Sequence, residues 1–126
     1  ARASFLTSSL CAPPFEHGGF DTVLFHATLQ YLPDAAAAIA RAVGCLRTDR
    51  AARIVVAQVT GASFVRREHA KHPAVAVAEL PSPSELRELG KAHGFALLPR
   101  QANAPPLDEF YLLVLERPNY LLTAPG

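Results

Sequence analysis

The chain has 126 residues, 50% of them hydrophobic, with twelve Lys and Arg against eleven Asp and Glu. That length suits one domain with a core of ordinary size. A net charge of +1 gives no electrostatic reason to expect nucleic acid or an anionic membrane as partner. No apolar run approaches the ~18 residues of a membrane span, and residues 1–14 are too weakly apolar for a signal peptide, so a soluble, intracellular protein is expected.

Two cysteines, Cys11 and Cys45, stand far apart with no CxxC spacing, which fits two small thiols better than a disulfide or a metal site. The chain contains no methionine, position 1 included. It is therefore expected to be a processed or recombinant product or a piece of something longer.

In chain order, residues 2–6 (RASFL) form a short candidate strand, and Ser, Pro and Gly make residues 7–19 a loop. FDTVLFH (20–26) reads as a strand, apolar on both faces near its end. Asp34 is a good N-cap for a helix over 35–46, with Ile39, Val43 and Leu46 at helical spacing. RIVVAQV (53–59) is the clearest strand, and residues 64–71 look helical up to Pro73. Ser82, Pro83 and Glu85 make a capping-box start for a helix that runs to about His93, where Gly94 stops it. FALLPR (95–100) and FYLLVLER (110–117) are strands joined by a turn, and residues 118–126 read as a loose tail.

Strand–helix–strand units imply parallel strands with right-handed crossovers, and the short connection between the last two strands implies an antiparallel pair. The expected order places 20–26 beside 53–59 in parallel, 110–117 antiparallel to 53–59, and 95–98 outside it. Val23, Phe25, Ile54, Val56, Leu113 and Leu115 are the expected core.

Taken together, FDTVLFHATLQYLPD, LRTDRAARIVVAQV, PSPSELRELGKAHGF and FYLLVLE resemble the carboxyl-terminal half of class I S-adenosylmethionine-dependent methyltransferases over roughly residues 4–117. The resemblance implies an α/β fold, a partial Rossmann-like sheet of parallel strands with an antiparallel carboxyl-terminal pair and helices on its faces. It implies a domain over 1–117, S-adenosyl-L-methionine as cofactor, and a small-molecule methyl acceptor. Two departures stand out. Thr48, Asp49, Arg50 and Ala51 occupy the place of the family's Pro-Gly-Gly turn, and the glycine-rich loop that holds the cofactor's methionyl end is absent from these 126 residues.

Ligands of open parallel sheets sit outside the carboxyl ends of strands. The resemblance accordingly places His26, Ala27 and Gln30 beside cofactor or substrate, and Ser9 and Leu10 near the adenine. The His26 imidazole can accept a proton from a substrate hydroxyl or amine; packing and a loop hydrogen bond are the plainer role. His26 and Tyr31 are the candidates for acceptor positioning and catalysis. His69 and His72 lie three apart on a helix but have no carboxylate or cysteine at matching spacing, so no metal is expected. Arg66, Arg67 and Lys71 read as a solvated basic face. Without the upstream strand, residues 20–26 would leave an open edge, to be covered by the displaced 2–6 segment, by a missing amino-terminal half or by a second copy. The isolated chain is expected to be inactive. A non-catalytic scaffold on the same fold is the alternative, and a dinucleotide-dependent reductase is disfavoured because no GxGxxG occurs.

Overall fold

The structure is a computed structural model and describes residues 19–118. The candidate strand at 2–6, together with Ser9, Leu10 and Cys11, lies outside the described residues.

A four-stranded sheet carries three helices. Its strands are β1 (Thr22–His26), β2 (Ala52–Gln58), β3 (Ala96–Leu97) and β4 (Tyr111–Arg117), and its helices are α1 (Ala35–Cys45), α2 (Gly61–Lys71) and α3 (Pro83–Lys91). The strand order is β1-β2-β4-β3. β1 and β2 are parallel, and β4 lies antiparallel to both β2 and β3, as the crossover rule and the short β3–β4 connection require. No helix among the described residues is long and apolar enough to cross a membrane.

Alternation along the strands sorts the side chains between two faces. On the first face the rows are Val23–Ile54–Leu115–Leu97 and Phe25–Val56–Leu113, with Gln58 opposite Tyr111. Ile39, Ala42 and Leu46 of the α1 region and Leu86 of α3 join this face in one buried cluster. Five of the six expected core residues are buried; Val23, on the outermost strand, is half-buried and packs against the cluster. On the second face the rows are Thr22–Arg53–Glu116, Leu24–Val55–Val114 and His26–Ala57–Leu112. Leu24 is 60% exposed, so the described part of β1 is covered on one face only, whereas a strand apolar on both faces was expected to lie within a covered sheet.

The helix ends follow local chemistry where local chemistry suffices. Asp34 Oδ1 accepts from the Ala37 amide at 3.1 Å to open α1. Ser82 and Glu85 form a complete capping box, with 3.1 Å bonds in both directions. Gly94, at φ +80°, closes α3: the Phe95 amide reaches Gly90 O at 2.9 Å and the Gly94 amide reaches Lys91 O at 3.2 Å, the paired bonds of a Schellman ending.

α2 is the exception. It begins at Gly61, three residues before the expected start, and no side chain caps it. Its free amides are met instead by a distant turn, Ala62 N–H to Leu107 O at 2.9 Å and Ser63 N–H to Asp108 O at 3.3 Å. Gly61 has φ +81°, and a Cβ there would lie 2.1 Å from Asp108 O, so only glycine fits.

Candidate functional site

Open α/β sheets hold ligands at the carboxyl ends of parallel strands. Here that end is made by His26 of β1, Gln58 of β2 and the segments that follow them. His26 is exposed and shares the second-face row of Ala57 and Leu112. The Ala27 amide still pairs with Ala57 O at 2.9 Å, but its φ of 55° is left-handed. For a residue with a Cβ that conformation costs about 1–3 kcal/mol. The reversal turns the chain back toward the core, where Leu29–Tyr31 forms a single 3₁₀ turn.

That turn separates the predicted site residues. Tyr31 is 53% exposed, while Gln30 is only 3% exposed. The Gln30 side chain is directed inward: its Nε2 donates to Gln58 Oε1 at 3.0 Å, and Gln58 Nε2 donates to Thr60 Oγ1. Gln58, 4% exposed, belongs to the helix-covered face by its alternation with Ile54 and Val56. His26 and Gln30 thus approach the strand ends from opposite faces. Gln58 and Thr60 were missed from the sequence. The available signal was a polar residue closing an otherwise apolar strand, at the position where the fold places ligands.

Residues 72–82 link α2 to α3 and run past this end. The linker is tied down three times, by His69 Nδ1–H to Ala76 O at 2.7 Å, by the Ala78 amide to Gln30 O at 3.1 Å and by the Tyr111 hydroxyl to Pro81 O at 2.8 Å. His69 Nδ1 is therefore committed to the backbone and carries the proton, since a carbonyl can only accept. Among the described residues no group of three His, Cys, Asp or Glu side chains is arranged to hold a metal ion. Arg66 pairs with Asp108 at 2.8 Å on the surface, whereas Arg67 and Lys71 are exposed. Cys45 is buried as a free thiol, and burial raises its pKa.

A groove of about 450 Å³ lies on the second face between the 98–105 segment and β4, floored by Leu112 and Val114 and flanked by Phe110 and Arg100. It shares the Leu112 row with His26 but lies at the opposite edge of the sheet.

No protein-family model matches the sequence, and no curated protein matches it. Solved structures do match. An S-adenosylmethionine-dependent methyltransferase from Thermotoga maritima aligns with 90% of the chain at TM-score 0.57 and 17% identity. A chain from the complex of the Haloferax volcanii Trm112 methyltransferase activator with its methyltransferase aligns with 91% at TM-score 0.61 and 17% identity. Magnesium protoporphyrin IX methyltransferase from Synechocystis PCC 6803, solved with bound S-adenosylhomocysteine, aligns with 90% at TM-score 0.55 and 19% identity. The chain spans 62% of the length of each of the first two and 49% of the third. Its mixed α/β sheet has a methyltransferase-like fold.

Proposed function

We propose that these residues form the carboxyl-terminal portion of an S-adenosylmethionine-dependent methyltransferase that acts on a small-molecule acceptor. The observation that carries the reading is the sheet order, with β4 inserted antiparallel between β2 and β3 beside a parallel β1–β2 pair. The described residues fit one side of a cofactor and acceptor site, with an exposed imidazole, a strained turn and a buried amide pair gathered at one strand end. The glycine-rich loop for the methionyl end is not among the 126 residues.

When bound, the cofactor supplies an electrophilic methyl group for in-line displacement by a nucleophile. This chain's share of the work is positioning and proton handling. Ser9, Leu10, Ala27 and Gln30 line the cofactor side in this reading. His26 takes the proton that the acceptor releases, and exposed Tyr31 packs against the acceptor. Among the described residues β1 pairs with β2 alone, and we assign its outer edge and the second face to an amino-terminal partner half. The matched Haloferax structure, a complex with an activator protein, makes a partner-dependent methyltransferase a reasonable precedent.

Titration calorimetry with S-adenosylhomocysteine tests the reading, on the 126-residue chain and on the same chain extended by whatever its gene encodes upstream. Micromolar binding by the extended protein, with little or none by the short chain, is the expected pattern. A folded, extended protein that binds no cofactor would instead support a non-catalytic scaffold.

A further inference from the structure

The groove between residues 98–105 and β4 is no part of the site at the strand ends, and it exists because β3 is short. β3 pairs with β4 at just two positions, Leu115 and Glu116. One further bond, the Leu98 amide to Val114 O at 2.9 Å, prolongs the ladder. Residues 99–105 then leave it, so Leu112 has β2 on one side and no strand on the other. The departing segment closes on itself, through the Ala104 amide to Gln101 O at 3.1 Å and Arg100 Nη2 to Pro105 O, and becomes the outer wall of the groove.

The lining combines an apolar floor with one cation. Phe110, Leu112 and Val114 are apolar, and Leu112 is 42% exposed. The volume, about 450 Å³, lies toward the small end of ligand pockets. Arg100 is the one charged side chain among the lining residues, and no Asp or Glu is present there. None of the four ion pairs among the described residues involves Arg100, whereas Arg47, Arg53 and Arg66 each hold a carboxylate. The bond to Pro105 O gives one of the guanidinium's five N–H donors a neutral acceptor and leaves its charge unmatched.

We propose that this groove is a binding site for a small apolar carboxylate, separate from the cofactor end of the sheet. The carboxylate takes the remaining donors of Arg100, whose planar fork matches two oxygens at once. The hydrocarbon part covers Leu112 and Val114 and rests against Phe110. Charge and shape select this class together. A neutral apolar molecule leaves the guanidinium unused, and a carboxylate without an apolar body leaves Leu112 in water. The partner half proposed for this face adjoins β1, whereas the groove lies at the β4 edge, where the chain supplies its own wall. The site therefore stands independently of the methyltransferase reading.

The test is titration of the ¹⁵N-labelled 126-residue chain with octanoate, followed in NMR by the amide signals of Leu112 and Val114 and by Arg100 Nε–H. Octanoate should give saturable shifts confined to residues 98–105 and 110–114. Octanol, with the same body and no charge, and octylammonium, with the opposite charge, should bind at least about tenfold more weakly, the worth of one charge-assisted hydrogen bond. Acetate should give no saturable shift. Arg100→Gln should remove the preference for octanoate over octanol. Leu112→Glu, which leaves the Arg100–Pro105 bond in place, is the second variant should loss of that bond loosen the wall. It should weaken octanoate at least about tenfold and favour octylammonium. Equal binding of octanoate and octanol, the absence of saturable shifts, or a preference kept in either variant overturns the proposal. So does a response that vanishes in a folded chain extended by what its gene encodes upstream, because the groove would then belong to the contact with the partner half.

Discussion

On one face of the sheet Ile54, Val56, Leu113 and Leu115 are sealed in the cluster that α1 and α3 complete. On the other, Leu24 and Leu112, drawn from neighbouring strands of the same sheet, keep 60% and 42% of their surface exposed. Thr22, Arg53, Glu116 and His26 mark the second face in its end rows, but in the central row of Leu24, Val55 and Val114 the residue types are those of the first face, so composition does not separate the faces there. The crossover helices do, because right-handed β–α–β connections on these strands deliver α1 and α3 to a single side. The first face therefore carries most of the stability of the described residues, and the second leaves large apolar side chains exposed.

The largest expected break in that contrast is Val56→Asp. It puts an unpaired carboxylate into the sealed face, where the penalty reaches several kcal/mol. Loss of the cooperative melt by circular dichroism is the expected outcome, and a folded variant would show that β2 is wrongly placed.

Gly61→Ala comes next. It leaves both faces alone and strikes the tertiary start of α2, where φ is +81° and the new Cβ meets Asp108 O. We expect a loss of about 2–3 kcal/mol in chemical denaturation, against about 1 kcal/mol for Gly94→Ala, which keeps the backbone cost of a Cβ at φ +80° but meets nothing nearby.

Tyr111 sharpens the contrast through pH. Its hydroxyl donates to Pro81 O at 2.8 Å under the first face, and its pKa is raised, first by burial and then by Glu85. A raised folded-state pKa means that the folded protein holds the proton more tightly than the unfolded chain. This contribution is complete below the ordinary tyrosine value of 10.0 and is lost progressively as pH climbs above it. Urea midpoints measured upward from pH 9 should fall for the native chain and less steeply for Tyr111→Phe. That variant should also be about 1–2 kcal/mol less stable at neutral pH, since Pro81 O loses its partner.

The smallest effect belongs to the second face. Leu24→Ser should change the unfolding free energy by less than about 0.5 kcal/mol while reducing self-association in sedimentation velocity. A destabilisation as large as a core truncation would mean that Leu24 is buried against something in the working protein, even as the isolated chain.

The local signals in the sequence were strong. Asp34, the Ser82–Glu85 box and Gly94 each mark a helix end through bonds formed within a few residues, so those boundaries were legible without a structure. The apolar runs at 20–26, 53–59 and 110–117 likewise revealed strands, and crossover handedness arranged them. The candidate site was legible only as a location, the end of β1 at His26. Which side chains meet there depended on contacts between residues far apart in the chain. The backbone reversal at Ala27 turns Gln30 away from His26 and toward Gln58, 28 positions later. The start of α2 depended on carbonyls at Leu107 and Asp108. Short-range hydrogen bonds and periodicity are properties of a segment and can be read from it; the partner of a buried amide or of an uncapped helix is chosen only when distant segments are brought together.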